Sequence, residues 1–295
     1  MSEVILSARD VVREYGGSGR SNASRGKVDA VAPSRVLGGL RDRAGAIFGI
    51  GNTPLRAVDG VSLEVRRGRT LGIVGESGCG KSTLARMMVG LLAPTSGNIE
   101  LDGRSVEELA REDRQKLHRK VQMVFQDPLG SLNPRKTVRA ILEAPLKALH
   151  GMDQKARRER VAELMSLVSL RAEFTERYPH EFSGGQAQRI GIARALAADP
   201  ELIILDEPVS ALDVSVQAQV LSLLADLQAR LDLTYVFISH DLAVVETISD
   251  EVVVMYLGRI VERGSREEIF ADPRHEYTRL LLSSVPGKHR ARARA

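Results

Sequence analysis

Short apolar stretches recur along the chain, and their pattern predicts β-strands. Residues 3–15 and 56–66 alternate apolar and polar positions or carry short apolar runs. Further strands are predicted at 70–75, 121–125, 201–206 and 234–239, and the continuous apolar pattern of 201–206 is typical of a buried one. NIELDG predicts a hairpin, and VVVMY and RIVERG predict another across Leu257-Gly258.

Stretches with a helical repeat lie between these strands. They predict a helix from about 81 to 92 that stops near Pro94, a charged helix near 105–119, and helices over 213–231 and 241–248. From 137 to 198 only helical patterns appear, and two short helices come near the C-terminus. Strands that alternate with helices, with all-helical material inserted, predict an α/β core that carries a helical subdomain.

Two segments do not follow this alternation. Residues 16–55 contain nine of the 26 glycines with scattered serine and arginine, so we expect a surface loop or flexible insertion there. Residues 285–295 form a basic tail, which we expect to be a solvated terminus, although it could also touch anionic lipid. We therefore expect one domain over 3–284, with the helical subdomain at about 127–198.

Composition and charge exclude several classes of protein. Cys79 is the single cysteine, so the chain alone cannot hold a disulfide framework, a cysteine-based zinc site or an iron–sulfur cluster. The net charge of +4 comes entirely from residues 288–295, which makes it weak support for nucleic-acid binding. No apolar run approaches the ~18 residues of a membrane span, and the N-terminal residues lack a secretory-signal pattern. Any work at a membrane would therefore use the helices of other subunits.

A glycine-rich motif lies between the predicted strand at 70–75 and the helix that follows it. It matches G-x-x-x-x-G-K-[ST], and the strand–loop–helix context identifies a phosphate-binding loop. Glycines let backbone N–H groups turn towards phosphate oxygens, and the helix adds the positive end of its dipole. Lys81 is expected to reach the β- and γ-phosphates, and Ser82 to bind Mg²⁺. The candidate nucleotide-binding residues are Gly75, Glu76, Ser77, Gly78, Cys79, Gly80, Lys81, Ser82 and Thr83.

Two acids lie at the end of the buried strand at 201–206. Asp206 ends that strand, where its carboxylate can join the shell of a Mg²⁺ ion. Glu207 is placed to polarise an attacking water. A strand that ends in two acids often just begins a solvated loop, but together with a phosphate loop it indicates a nucleotide-hydrolysing site.

These motifs resemble those of the ATP-binding-cassette (ABC) ATPases, over essentially the whole chain outside 16–55 and the tail. The motif that distinguishes the family is a signature at a helix start, found here as Ser183, Gly184, Gly185 and Gln186. The resemblance implies an α/β fold, a P-loop NTPase core of ABC ATPase type with an antiparallel β subdomain and an inserted helical subdomain. It also implies that the signature acts in trans, on ATP held by another subunit.

Other residues follow in the order that the family uses. Gln126 resembles the glutamine that senses Mg²⁺ and the attacking water, His240 the histidine that contacts the γ-phosphate, and Tyr15 the aromatic that stacks on adenine. The resemblance thus implies catalytic roles for Glu207, His240 and Gln126, and Mg²⁺ binding by Ser82, Gln126 and Asp206. It implies a D-loop that crosses the dimer interface at Ser210, Ala211, Leu212 and Asp213.

Several stretches resemble the branch of the family that imports oligopeptides, dipeptides or nickel, among them VFQDPLGSLNPRKTV, YPHEFSGGQAQRIGIARAL and HEYTRLLLSSVP. The resemblance implies an ATPase, the second of a pair, bound peripherally at the cytoplasmic face of the membrane, with ATP and Mg²⁺ as cofactors. Its partners would be a paralogous ATPase or a second copy, two permeases and, indirectly, an extracytoplasmic solute-binding protein, with no nucleic acid. An exporter ATPase, another importer, or a soluble ABC ATPase that acts on ribosomes or DNA remains an alternative.

Overall fold

The computed structural model describes residues 3–16 and 55–284, whose strands form two sheets. The strands are β1 (Val4–Tyr15), β2 (Leu55–Arg66), β3 (Thr70–Val74), β4 (Ser96–Leu101), β5 (Arg104–Ser105), β6 (Val121–Val124), β7 (Leu202–Asp206), β8 (Thr234–Ser239), β9 (Glu251–Tyr256) and β10 (Arg259–Ser265). Most of the predicted insertion at 16–55 and all of the predicted tail at 285–295 lie outside the described residues.

Helices connect most of these strands. They are α1 (Lys81–Met88), α2 (Val106–Glu112), α3 (Arg114–Lys120), α4 (Pro128–Ser131), α5 (Val138–His150), α6 (Gln154–Leu167), α7 (Gly184–Leu196), α8 (Val214–Leu231), α9 (Leu242–Ile248), α10 (Arg266–Ala271) and α11 (Glu276–Ser283). Two 3₁₀ turns, Ala172–Glu176 and Pro179–Glu181, precede α7.

The larger sheet has six strands in the order β10-β9-β3-β8-β7-β6. All its pairs are parallel except that between β9 and β10, which form the predicted antiparallel hairpin. Every residue of β3, β7 and β8 is buried, as expected for continuous apolar strands that are covered on both faces. The carboxyl ends of these strands meet at one edge, where ligand sites of such sheets lie.

The smaller sheet is antiparallel, in the order β2-β1-β4-β5. β1 and β2 pair from Val4 opposite Arg66 to Tyr15 opposite Leu55. Apolar side chains of β1, β2 and β4 pack with those of α1 against the larger sheet, in a second core. The chain therefore enters and leaves the predicted insertion at neighbouring points of one hairpin.

Between β6 and β7 the chain is helical, as the sequence predicts. Leu142 of α5, Leu164 of α6 and Ile190 of α7 are fully buried in one core, which continues to Phe237 of β8. The helical segment therefore rests on the larger sheet and shares its core.

The predicted helix at about 81–92 is wrong in its C-terminal limit, because α1 already ends at Met88. Gly90 adopts a left-handed φ of 72°, and its N–H donates to the carbonyl oxygen of Met87 at 3.0 Å. A left-handed glycine in this position stops a helix one turn before the proline on which the prediction relied.

The charged helix predicted near 105–119 is also wrong in detail, because it forms two helices, α2 and α3. Asp113 leaves helical backbone with φ −142°, and its carboxylate accepts the N–H of Lys116 at 3.0 Å. An aspartate that caps a new helix in this way favours a break over a continuous helix.

Candidate functional site

The phosphate loop joins β3 to α1 at the edge where the central strands end. Gly78 and Gly80 have φ of 84° and 108°, a backbone that other residues rarely adopt. A Cβ on Gly75 would lie 2.2 Å from the carbonyl oxygen of Met255, and one on Gly80 would lie 2.0 Å from that of Ala57. Glycine is thus required for the turn and for the close approach of β2 and β9.

Lys81 lies inside this loop and is only 4% exposed. Its ammonium donates to the carbonyl oxygens of Gly75 at 2.7 Å and Glu76 at 2.8 Å. The N–H groups of Ser77 and Gly78 make no hydrogen bond to any other described residue. Open loop N–H groups around an ammonium, at the start of a helix, form a cradle that fits phosphate oxygens.

The other predicted loop residues surround this cradle. Glu76 and Ser77 are exposed, and Thr83 is half-buried in the first turn of α1. Cys79 is buried, with its sulfur 3.8 Å from the Lys81 ammonium, and burial raises the pKa of its thiol. The thiol therefore stays protonated at neutral pH.

Ser82 and Asp206 face each other beside the loop. The hydroxyl of Ser82 donates to Oδ1 of Asp206 at 2.9 Å. Burial raises the pKa of Asp206 above its usual value, although the Ser82 hydrogen bond and the charges of Arg86 and Lys81 oppose the rise. A hydroxyl and a carboxylate oxygen are ligands that fit Mg²⁺.

A Mg²⁺ ion at this position would need further ligands. Within the described residues, no group of three or more His, Cys, Asp or Glu side chains could hold a metal. Because Mg²⁺ in nucleotide sites takes one or two protein oxygens together with substrate phosphates, the Ser82–Asp206 pair fits an ion that arrives with a nucleotide.

The three predicted catalytic residues meet at one carboxylate oxygen. Nε2 of Gln126 donates to Oε2 of Glu207 at 3.0 Å, and Nδ1 of His240 lies 3.1 Å from the same oxygen. The residues follow the ends of β6, β7 and β8, so adjacent strands bring together positions that are distant in sequence.

The backbone of Glu207 directs its side chain to this meeting point. Its φ is 48°, in the left-handed region. Its N–H donates to the carbonyl oxygen of Ile238 at 2.9 Å, and its own carbonyl accepts the hydroxyl of Ser210 at 3.1 Å. Such a conformation costs about 1–3 kcal/mol and persists where the surroundings enforce it. Nothing in the sequence indicated this strained backbone.

The predicted signature forms the first turn of α7. The Ser183 hydroxyl accepts the N–H of Gln186 at 3.4 Å, and the Gln186 side chain accepts the N–H of Ser183 at 3.1 Å, a reciprocal cap. Ser183 and Gly184 are exposed. A Cβ on Gly184 would lie 3.2 Å from Leu212, and one on Gly185 2.4 Å from Val216.

The predicted D-loop lies against this signature. Leu212 contacts Gly184, as described, and the Asp213 carboxylate caps α8 by accepting the N–H of Val216 at 3.1 Å. Hydrogen bonds from Ser215 and Val216 lower the pKa of Asp213. Ala211, between Ser210 and Leu212, is exposed. The D-loop therefore connects Glu207, through Ser210, to the start of the signature helix.

Tyr15 lies at the end of β1, close to the phosphate loop. It pairs with Leu55, two residues before the Ala57 carbonyl that contacts Gly80. Its ring is 38% exposed, and the guanidinium of Arg13 lies 5.0 Å from the ring centre. The pairing of β1 with β2 thus places Tyr15 on the strand neighbouring the one that approaches the loop, and its stacking on adenine stays a prediction.

Sequence reasoning missed one residue at the loop. The hydroxyl of Tyr277, in α11, accepts the backbone N–H of Glu76 at 3.1 Å. The HEYT stretch that contains Tyr277 indicates a family likeness, but no local pattern connects Tyr277 to a loop 201 residues earlier.

Comparison with known proteins shows which family this chain resembles. Residues 58–210 match the family described as ABC transporter, and residues 261–294 match the oligopeptide/dipeptide transporter C-terminal region. The dipeptide transport ATP-binding protein DppF of Haemophilus influenzae is 56% identical over 232 residues, 79% of this chain and 71% of that protein. The oligopeptide transport ATP-binding protein AppF of Bacillus subtilis is 57% identical over 233 residues, with the same shares of each chain.

Solved structures agree on the fold. A dimeric post-hydrolysis structure of the ATP-binding cassette MJ0796 with ADP and Pi has a TM-score of 0.70 and 26% identity, covering 88% of this chain and 98% of that one. The structure of cbiO1 from Clostridium perfringens, part of the ABC transporter complex cbiONQ, has a TM-score of 0.70 and 26% identity, covering 96% of both chains.

The fold and the site therefore define a nucleotide-binding ATPase of the P-loop class. More narrowly, the chain belongs to the ABC transporter family, as an ATPase subunit, which confirms the family and the fold expected from the sequence. Among the described helices, none combines the length and the apolar character that crossing a bilayer requires.

Proposed function

We propose that this chain is the ATP-hydrolysing subunit of a transporter that imports dipeptides or oligopeptides. The observation that carries the hydrolysis is the meeting of Gln126 and His240 at Glu207, beside a loop that fits nucleotide phosphates. The cargo is supported by the relatives, which are named for dipeptide and oligopeptide transport, and by the match of residues 261–294.

ATP binding uses the phosphate loop and its neighbours. The carbonyl oxygens of Gly75 and Glu76 hold Lys81 in the loop, from where its ammonium binds oxygens of the β- and γ-phosphates, and the open loop N–H groups bind the remaining oxygens. Ser82, Asp206 and Gln126 would hold Mg²⁺, which would supply positive charge to neutralise the phosphates. Tyr15 stacks on the adenine ring.

Glu207 acts as the general base for the attacking water. Its Oε2 accepts from Gln126 and lies 3.1 Å from Nδ1 of His240, whereas its Oε1 has no hydrogen-bond partner among the described residues and is available for a water proton. As the water oxygen bonds to the γ-phosphorus, the bond to the bridging oxygen of ADP breaks. His240 presents its other ring nitrogen to the γ-phosphate. Positioning and charge neutralisation suffice, so no protein nucleophile is needed.

The signature and the D-loop supply a second half-site to another subunit. Ser183 and Gly184 are exposed at a helix N-terminus, and beside the D-loop Val214 is 82% exposed. The solved MJ0796 relatives are described as dimers. The partner is a paralogous ATPase or a second copy of this chain, arranged head to tail.

The segment after Gln126, residues 127–137, is the proposed contact with two membrane permeases. Leu129 in α4 is 42% exposed, and the carbonyl oxygen of Ser131 accepts the guanidinium of Arg194 from α7. A displacement of α4 would therefore be transmitted to the signature helix through Arg194. On the other side of this segment, the hydrogen bond of Gln126 connects it to Glu207. From the transport relatives we propose a peripheral location at the cytoplasmic membrane face, with cargo delivered by an extracytoplasmic solute-binding protein.

Uptake of labelled dipeptides and oligopeptides tests this function. Cells that lack the gene are complemented with the wild type, Glu207→Gln or Glu201→Gln. Glu201 is the control because it lies at the opposite end of β7 from Glu207. It forms ion pairs with Arg67 and Lys120 there. We expect the wild type and Glu201→Gln to restore peptide uptake and Glu207→Gln to fail. Nickel uptake or solute efflux that follows this pattern, with peptide uptake unchanged, would contradict peptide import.

A further inference from the structure

Tyr277 contacts the phosphate loop from the far end of the chain. Its hydroxyl oxygen accepts the N–H of Glu76 at 3.1 Å, and its ring lies 4.2 Å from that of Tyr256, centre to centre. The residue is 7% exposed, and burial raises the pKa of its hydroxyl. The hydroxyl therefore stays neutral and in place at physiological pH.

The position of Tyr277 is fixed from its own side by a series of hydrogen bonds. Its N–H donates to Nδ1 of His275 at 3.1 Å, which caps α11. The Glu262 carboxylate of β10 in turn accepts the N–H groups of Arg274 at 2.7 Å and His275 at 3.1 Å. The start of α11 is thus attached to the larger sheet, and Tyr277 with it.

Glu76 is also the residue that holds the loop lysine. Its N–H goes to Tyr277, whereas its carbonyl oxygen accepts the Lys81 ammonium at 2.8 Å and the N–H of Cys79 at 3.3 Å. The N–H of Glu76 shares one planar peptide group with the carbonyl of Gly75, which also accepts the Lys81 ammonium, at 2.7 Å. A hydrogen bond at this N–H therefore restricts the direction of the Gly75 carbonyl. One residue separates the Tyr277 hydroxyl from the lysine that binds phosphate.

We propose that Tyr277 is a positioning residue for nucleotide binding, which through Glu76 holds the phosphate loop and Lys81 in the geometry that accepts ATP. Tyr277 lies within the stretch that matches the oligopeptide/dipeptide transporter C-terminal region. This inference rests on ATP binding at the phosphate loop. A loop held in place before ATP arrives loses less conformational entropy on binding, so the contact acts on affinity.

The test replaces Tyr277 by Phe, which keeps the ring and its packing on Tyr256 and removes only the acceptor. The matched control is Tyr235→Phe, because the Tyr235 hydroxyl is buried and donates to the Leu224 carbonyl at 3.0 Å, away from the loop. Binding of the analogue AMP-PNP with Mg²⁺ is measured by calorimetry, together with steady-state ATPase kinetics and thermal unfolding without nucleotide.

Tyr277→Phe is expected to weaken AMP-PNP binding and raise KM for ATP about two- to tenfold, the effect of one neutral hydrogen bond, with kcat within about twofold. Tyr235→Phe is expected to lower the unfolding temperature without changing AMP-PNP affinity. Unchanged affinity in Tyr277→Phe, or a loss of affinity that Tyr235→Phe shares, would overturn the inference. Failure of the wild type to bind AMP-PNP would instead refute ATP binding at the loop itself.

Discussion

The phosphate loop and the signature are both glycine-rich segments at helix N-termini, yet they are built differently. The glycines of the loop lie against rigid backbone, since Gly75 and Gly80 approach the carbonyl oxygens of Met255 and Ala57. The exposed signature glycine, Gly184, lies against the side chain of Leu212, which can move. One segment is enclosed by the fold, whereas the other rests on its surface.

The polar groups of the two segments differ in the same way. Around the loop, Lys81, Ser82 and Asp206 converge on one space. In the signature, Ser183 and Gln186 bond to each other's backbone, and the helix end faces outward. We therefore propose that the loop binds phosphate within one chain, whereas the signature completes a site against ATP bound by another chain.

The largest expected effect concerns the acid on the loop side. Glu207→Gln keeps the shape of the side chain and removes the base, so kcat for ATP is expected to fall by about 10²- to 10⁴-fold while ATP still binds. Phosphate release under saturating ATP measures this, with Glu201→Gln as the control at the other end of β7. Turnover within about threefold of the wild type would remove Glu207 from catalysis.

Replacing one glycine of each segment by alanine tests whether the loop is more constrained than the signature. Gly80→Ala adds a Cβ 2.0 Å from backbone oxygen at φ 108°, so it is expected to cost about 2–5 kcal/mol of unfolding free energy. Gly184→Ala, in the first turn of a helix and against a movable side chain, is expected to stay within about 1 kcal/mol of the wild type. Urea unfolding measures both, and equal losses would show that the two segments are equally constrained.

The smallest effect is expected at Tyr15, at the rim of the loop side. Tyr15→Ala removes the proposed stacking surface and should weaken ATP binding about two- to tenfold, whereas Tyr15→Phe should bind like the wild type. Competition between ATP and inorganic triphosphate isolates the contribution of the base. If both nucleotide and triphosphate bind Tyr15→Ala as they bind the wild type, Tyr15 does not contact adenine.

Local sequence patterns predicted the strands of the larger sheet well, because continuous apolar runs such as 201–206 are typical of strands that are covered on both faces. They failed at helix limits, where single residues decide. Gly90 ends α1 early through its left-handed backbone, and Asp113 starts a new helix by capping it. Both signals were present in the sequence but compete with a helical repeat that continues past them.

The site residues belong to recognisable sequence motifs, but the contacts between them could not be predicted from those motifs. Gln126 and His240 meet at Glu207 because β6, β7 and β8 lie side by side, and strand order follows from tertiary packing. The strained backbone of Glu207 and the hydrogen bond from Glu76 to Tyr277 arise in the same way. Long-range pairing of this kind leaves no periodic trace in one sequence.

We propose that each chain binds ATP at its phosphate loop, and that its signature acts on ATP bound by another chain. This proposal is tested most directly by AMP-PNP·Mg²⁺ affinity of Lys81→Ala and Gly184→Asp, measured on monomers at protein concentrations too low for dimers. Gly184→Asp places a negative charge at an exposed helix start, where folding tolerates it but a phosphate does not, and Gly184→Asn is its neutral control. We expect Lys81→Ala to lose at least about tenfold in affinity, and Gly184→Asp to stay within about twofold of the wild type and of Gly184→Asn. Equal losses in Lys81→Ala and Gly184→Asp would contradict the account.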